Sequence, residues 1–495
     1  MRSSSLLVFV RGVLLMAAVI TVFFGLELAV DVMAGGYPLA RALFFDVNDA
    51  RHFNNLLNRS LNQLLGVVFT TVAIAVPLTA NLYSLKFLEF FIQDRVNAAV
   101  LTLAVLTNLG NTWAGYALKA NHIPVVALNV IFALSLVCFA VLLPYLYYVF
   151  RFLHPDTLLA RLEHAHAVAL RDALRRPGPR RAEAAADLEH IANIAVRAVE
   201  RGDRNTAIDS VRTLERALRV YWAGKPGLPA AWFEADQNFF LGFSSAAVDD
   251  LTASRSWVEM KLFGQLQLIT AASIGRMPEV TSAAAKALRK AGLEPAARSD
   301  PALRDLVTEY FNTLLRVALN RRDARAVFSI LDQYRLFAEA INPEQPDLGL
   351  EIAYYFQYYG QVARETQLTF VAEAVAYDLG ALVRAAWEAG APNRSQLLER
   401  FLHYDDQARH PLKGVKKSQA ILASYFLARA LAEPAATIQA AWAGLEPGFV
   451  RQVRDELLFV KREKYWEVSE RRMNIDYVPA AQREKLRAFF DSLAP

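Results

Sequence analysis

Four long apolar stretches occupy the first 150 residues, and residues 151–495 contain no comparable stretch. A helix needs roughly 20 mainly apolar residues to cross a hydrocarbon core of about 30 Å. Each stretch is long enough, and their only charged residue is Glu27. We therefore predict a four-helix transmembrane bundle within a domain of residues 1–152. The predicted spans are Val13–Val30, Leu61–Leu82, Ala98–Leu118 and Ile123–Phe150.

The first stretch has a second interpretation as a secretory signal. Arg2 and Arg11 would form its basic end, and Val32-Met33-Ala34 would form a small-residue cleavage site. The apolar part of a signal usually holds about 7 to 15 residues, and this stretch is longer. Retention as a membrane span is the favoured reading.

Lys and Arg near the ends of the spans predict the orientation, because cytoplasmic loops carry an excess of them. An even number of spans also places both ends of the chain on one side. We expect a multi-pass protein of the bacterial inner membrane with both termini in the cytoplasm. The single cysteine, Cys138, excludes an intrachain disulfide framework, which agrees with a reducing compartment.

Composition limits the classes of partner. The chain is 54% hydrophobic with a mean hydropathy of +0.20, values that suit a protein partly embedded in a membrane. Its net charge is +5, and the first 150 residues contribute +2 through eight basic and six acidic residues. The rest of the chain is nearly balanced, so the basic pI does not indicate nucleic-acid binding.

Small and polar residues follow helical stripes in the second and third spans. In lipid, such stripes face protein or water, because an unsatisfied amide in hydrocarbon is costly. They indicate either helix packing or a polar path, and the path would make the protein a homo-oligomeric channel or transport component. The residues are Gly66, Thr70, Thr107, Asn108, Asn111, Thr112 and Gly115.

The segment of residues 83–96 has one apolar side, formed by Leu85, Leu88, Ile92 and Val96. This pattern predicts a helix at the membrane interface, although the segment could instead extend a spanning helix. At the end of the fourth span, tyrosines at 145, 147 and 148 suggest an interfacial belt.

Two parts of the chain resemble an uncharacterised bacterial membrane family, domain of unknown function 2254. The main part is Phe69–Leu88 followed by Phe91-Ile-Gln-Asp-Arg-Val-Asn97, and the second is Ile191–Ala198 followed by Asn205–Ile208. The resemblance covers residues 45–220 and implies an N-terminal bundle joined to a cytoplasmic part, with no assigned biochemical function. The chain departs from the family at Arg204-Asn205-Thr206, where the family has Asn-Asp-Pro.

Apolar residues recur at helical spacing through the rest of the chain, so the fold class is all-α. We expect a helical connector and first hairpin in residues 153–220 and a large α-helical cytoplasmic domain in residues 221–495. Helix pairs separated by short polar turns suggest a divergent helical-hairpin (solenoid-like) array, although an irregular helical domain would also fit. The expected pairs are 191–218, 266–293, 314–341 and 370–387.

Sequence motifs of catalysis are missing: there is no phosphate-binding loop, dinucleotide fingerprint or zinc signature. We expect no enzyme, no cofactor and no metal, and neither the His164/His166 pair nor His403–Asp406 is a convincing ligand set. A basic turn could contact lipid headgroups or be a solvated loop. Its residues are Arg175, Arg176, Arg180 and Arg181.

The sequence favours a non-enzymatic membrane protein whose helical cytoplasmic domain scaffolds or senses a protein partner. The aromatic run Tyr354–Tyr359 is either a partner-binding ridge or core, and the core reading places Tyr355, Phe356 and Tyr359 inward. The alternative function is the channel, in which several copies would surround the polar face of the third span.

Overall fold

The structure is a computed structural model. It describes residues 10–11, 13–15, 17–18, 21–22, 47–84, 86–119, 125–175, 177–406, 411–465, 471 and 473–493. The chain divides into two compact units, Met1–His164 and Ala165–Pro495. Every regular element in the described ranges is a helix, which confirms the all-α fold class.

The first unit contains four described helices before the boundary helix. They are α1 (Val47–Leu82), α2 (Lys86–Ile92), α3 (Arg95–Ala117) and α4 (Val125–Phe152), and α5 (Pro155–Ala173) contains the boundary. Helix α1 begins 14 residues before the predicted span because polar residues, starting with the first-turn Asp49, continue the same helix.

Two of these helices are long and apolar enough to cross a membrane, and α2 with α3 would make a third if that bent pair is one span. The four-span bundle is therefore not confirmed. The predicted first span, Val13–Val30, lies mostly outside the described residues.

Helix α2 is an element separate from the long helix α1. It meets α3 at a bend of 54°. Phe87 is buried, whereas Ile92 is 76% exposed, so the predicted apolar side is not buried as a whole. Asp94 ends the segment because its side chain accepts from the backbone N–H groups of Val96 and Asn97 at the start of α3.

Helices α1, α3 and α4 pack against one another. Small residues at the contacts allow close approach, and one cluster of buried side chains joins the three helices. It consists of Ala50, Ala114, Leu118, Leu128 and Ile131.

The second unit is built from helical hairpins in two layers. One layer contains α6 (Pro177–Glu200), α9 (Trp257–Ser273), α12 (Pro301–Asn320), α14 (Pro346–Glu365) and α16 (Arg394–Leu402). The other contains α7 (Arg204–Gly224), α10 (Pro278–Leu293), α13 (Ala324–Ile341), α15 (Thr369–Glu388) and α17 (Lys413–Ala428). Neighbours within each layer pack together, which is the arrangement of a hairpin array.

The remaining helices are short or terminal. They are α8 (Ser245–Ala253), α11 (Pro295–Arg298), α18 (Ala432–Ala440), α19 (Pro447–Phe459) and α20 (Ala480–Asp491), and α20 packs on α17.

The hairpin expected at residues 370–387 is wrong, because these residues belong to the single helix α15. Its partner is α14, and the turn between them is Thr366–Leu368. The hairpins that begin at 257, 301 and 346 are spaced by about 45 residues.

The hairpin turns at Gly202, Arg322 and Gln367 share one geometry, in which a residue with positive φ follows the first helix. Arg322 has φ 55°, and the next N–H, of Asp323, bonds to the Ala318 carbonyl at 3.2 Å. The Asp323 side chain then caps α13 through the N–H of Ala326 at 3.0 Å. It also accepts from the N–H of Gly275, in the preceding hairpin turn, at 2.8 Å. One carboxylate therefore ties two hairpins together.

The aromatic run on α14 follows the core reading for two of its three inward residues. Phe356 and Tyr359 are buried, and Tyr355 is half-buried. Tyr354 and Tyr358 are about half exposed, at 53% and 49%.

Candidate functional site

The polar stripe predicted in the bundle has an inward part that joins helices. Thr107 and Asn111 are fully buried. The side-chain amide of Asn111 donates to Ser135 on α4 at 3.3 Å, and its backbone carbonyl accepts from Asn54 Nδ2 on α1 at 3.2 Å. A Cβ on Gly115 would lie 3.0 Å from the same Asn54 nitrogen. These residues hold α1, α3 and α4 together.

The other stripe residues face outward. Gly66, Thr70 and Thr112 are exposed, and Asn108 is half-buried. Asn108 Nδ2 donates to Asn62 Oδ1 on α1. The seven stripe residues therefore do not share one face within a single chain.

A second polar cluster, centred on Asp94, was missed by the sequence analysis. Asp94 Oδ1 accepts from the Tyr148 hydroxyl at 2.8 Å, and Oδ2 accepts from the Arg161 guanidinium at 3.1 Å. Arg161 also lies 3.9 Å from the centre of the Phe152 ring. This cluster joins the start of α3 to α4 and α5.

The interfacial belt is wrong for two of its three tyrosines. Tyr145 and Tyr148 are buried, and only Tyr147 is exposed. In the sequence, Asp94 was the available signal for the burial of Tyr148. A carboxylate beside an apolar stretch requires hydrogen-bond donors from other helices.

The basic turn is mostly helical and already has acidic neighbours. Helix α6 begins at Pro177, so Arg180 and Arg181 lie in its first turns rather than in a loop. Arg180 pairs with Asp172 at 3.2 Å and with Glu183, and Arg181 lies 3.9 Å from Glu234. Arg175 is exposed, and Arg176 lies outside the described residues. The lipid contact stays a prediction.

A cavity of about 660 Å³ lies on the layer that contains α13, α15 and α17. One wall is apolar. The Phe328 and Phe370 ring centres are 5.3 Å apart, and Phe370 is 52% exposed. Met473, from the segment before α20, is 53% exposed and lines the same space. An apolar group from another molecule could bury both side chains.

The opposite wall carries paired charges. Lys417 Nζ lies 2.8 Å from Glu456 and 2.9 Å from Asp476. Burial favours a lower pKa for Lys417, but the bonds to Glu456 and Asp476 more than offset it and raise the pKa. Bonds from Lys417 and Lys413 lower the pKa of Glu456. Both shifts favour the charged forms of Lys417 and Glu456, which pair with each other.

The cavity also contains the N-terminus of α17, which is capped from within the chain. The N–H of Gly414 donates to the Glu373 carboxylate at 2.9 Å. A helix N-terminus attracts anions, and this one has an anion in place. The lining therefore suits a neutral, partly apolar ligand better than a phosphate or a lone ion.

The segment that carries Met473 and Asp476 is anchored by Arg471. The Arg471 guanidinium binds both oxygens of Asp378, at 2.6 and 2.9 Å, and donates to the Phe328 carbonyl at 3.0 Å. It also lies 3.8 Å from the centre of the Phe328 ring. These contacts hold α13, α15 and the segment that carries Met473 together, and so fix the position of the apolar wall.

No metal-binding arrangement occurs in the part of the chain that the structure describes, where no three His, Cys, Asp or Glu side chains are grouped suitably. His403 Nε2 lies 3.9 Å from Asp406. His166 is buried, whereas His164, two residues earlier on the same helix, is exposed.

Helices of membrane-spanning length in the first unit and a helical-hairpin body in the second define a membrane protein with a large helical domain. Residues 4–190 match the family model described as predicted membrane protein (DUF2254), which confirms the resemblance found in the sequence. The match ends before the second segment of resemblance, at residues 191–208. No curated protein and no solved structure matches the chain.

Proposed function

We propose that this chain is a multi-pass protein of the bacterial inner membrane, with both termini in the cytoplasm, whose hairpin body holds a protein partner as scaffold or sensor and performs no catalysis. The family match supports association with a lipid bilayer. The cavity between α13, α15 and α17 supports partner binding.

The observation that carries this proposal is the apolar wall of the cavity. Phe370 and Met473 are each about half exposed, and both line the cavity. The lining contains three basic and three acidic side chains, so its net charge is zero. A partner would therefore dock through an apolar side chain, with polar contacts at the rim.

The test is site-specific photocrosslinking in cells with a benzophenone amino acid at position 370. The matched control carries the same group at Tyr354, which is 53% exposed and does not line the cavity. We expect one defined crosslinked protein from position 370 and none from position 354. The Met473→Glu variant should remove that product, because a carboxylate would be buried against the partner's apolar group. Equal labelling at both positions would contradict partner binding at the cavity.

The rival function is a homo-oligomeric channel, and the outward-facing Asn62–Asn108 pair is the observation in its favour. Purified protein in liposomes would then pass ions, and replacing Asn108 by Leu would abolish the flux. The scaffold predicts no flux in either form.

A further inference from the structure

Three asparagines form a continuous chain of hydrogen bonds on the outer side of the first unit. Asn108 Nδ2 on α3 donates to Asn62 Oδ1 on α1, and Asn62 Nδ2 donates to Asn58 Oδ1 at 2.8 Å. We call these three residues the amide chain. Asn62 is exposed, and the other two are half-buried.

The two ends of the amide chain are complementary. At one end, the side-chain nitrogen Nδ2 of Asn58 has N–H groups free to donate, and at the other end the side-chain oxygen Oδ1 of Asn108 is free to accept. Neither atom has a partner among the described residues. Asn58 lies one helical turn, about 6 Å, from Asn62 along α1, and Asn62 is bonded to Asn108. The two ends therefore differ in depth by about one turn.

Exposed apolar side chains lie beside the Asn108 end of the amide chain. Asn108 lies near the middle of the 23-residue helix α3, and its exposed neighbours include Leu106 and Leu109. Asn58, at the other end, is followed by the exposed Arg59. Lipid cannot bond to the open acceptor of Asn108, so another protein surface should cover it.

We propose that the occupant of this face is a second copy of the chain, related by a two-fold axis along the membrane normal. In that arrangement, Asn58 of each copy donates to Asn108 of the other. A single two-fold axis then gives a hydrogen-bond partner to the open donor and the open acceptor of both amide chains. Gly66 and Thr70 continue the stripe from Asn62 at intervals of four residues. They are small and exposed, and nothing lies within 4 Å of a Cβ built on Gly66, so two α1 helices can approach closely there.

The first experiment counts copies of the full-length protein in liposomes by single-molecule photobleaching. We expect two copies for the wild type. Gly66→Leu should raise the dissociation constant at least tenfold by blocking close approach, and the open space around Gly66 lets a single copy keep its fold. Val67→Leu, one position away on the same helix, is the matched control and should leave the count at two. Single copies of the wild type, or equal effects of the two variants, would overturn the proposal.

The second experiment identifies what covers the face. Copies carrying Asn58→Cys are mixed with copies carrying Asn108→Cys, and we expect a disulfide between them, since the native Cys138 is buried. A single chain that instead forms an internal disulfide between Asn62→Cys and Thr21→Cys, with no product between copies, would assign the face to the chain's own first apolar stretch. Ion flux lost in Asn62→Leu would assign it to a water-filled path. Either result contradicts the two-copy interface.

Discussion

At the residue scale, Arg471 connects two helices through a nearly buried ion pair. Its side chain is 7% exposed and that of Asp378 is 1% exposed. We expect Arg471→Ala to destabilise the second unit by about 3 kcal/mol, because among the described residues it leaves the buried Asp378 carboxylate with Arg335 as its remaining ion-pair partner, at 3.2 Å. Urea unfolding measures the loss, and Arg454→Ala is the control. Arg454 forms an ion pair with its exposed neighbour Asp455, so a comparable loss there would contradict the explanation.

His166 makes the stability of the second unit depend on pH. Burial lowers its pKa to about 4, although the backbone of Ala184 offsets part of the shift. The unfolded chain binds the proton at about pH 6.5, so below that pH protonation favours unfolding until the folded histidine also titrates. We expect the contribution of His166 to the free energy of unfolding to be fully present above pH 6.5 and to fall by about 3 kcal/mol between pH 6.5 and 4.

The check is the slope of unfolding free energy against pH in the His166→Leu variant. Its slope between pH 6.5 and 4 should be shallower than that of the wild type. Identical slopes in the two proteins would mean that His166 does not carry the effect.

The polar residues of the bundle were recognisable in the sequence, but their partners were not. Helical spacing correctly marked Thr107 and Asn111 as residues that avoid lipid. It could not show that Asn108, one position from Thr107, bonds to α1 on the outer side, because that depends on which helices are neighbours. Tyr148 was misplaced for the same reason, since its burial depends on Asp94 from another element.

At the element scale, the hairpin turns are joined by one carboxylate. Asp323 caps its own helix and also accepts from Gly275 in the preceding turn, whereas Asp203 is known only to cap, through Thr206 N at 3.1 Å. We expect Asp203→Ala to cost about 1 kcal/mol. Asp323→Ala should cost about 1 kcal/mol more, because it also removes the bond between hairpins.

Hydrogen exchange distinguishes the two parts of that effect. In Asp323→Ala, protection should fall at the end of α9 as well as at the start of α13, and in Asp203→Ala it should fall only at the start of α7. Equal unfolding free energies for the two variants would show that the Gly275 bond contributes nothing.

The hairpins themselves were predictable from short polar turns, and three of the four expected pairs are correct. The turns at Arg201–Asp203 and Arg321–Asp323 contain charged residues that interrupt the apolar spacing. At Thr366–Leu368 the leucine continues that spacing, so the end of α14 was not visible and α15 was taken for a pair. The cavity was not predictable, because Met473 reaches it from a segment about 100 residues beyond Phe370 in the chain.

At the scale of the whole molecule, the two units differ in their surfaces. In the described residues of the first unit, exposed large apolar side chains recur along every long helix, from Leu56 to Phe150. In the second unit they are scattered, while large aromatic side chains such as Trp257, Phe311 and Phe356 are fully buried. A surface of isolated apolar side chains is compatible with solubility, and the buried aromatic core supplies stability of its own.

We therefore expect residues 155–495, expressed alone, to be soluble without detergent and to unfold in one cooperative transition, as measured by light scattering and circular dichroism. The matched control is a fragment of residues 230–495, which lacks α6 and α7. Removing that hairpin exposes the faces of α9 and α10 that pack on it, so this shorter fragment should aggregate. If residues 155–495 aggregate to the same extent as the control, the second unit depends on the first for its stability.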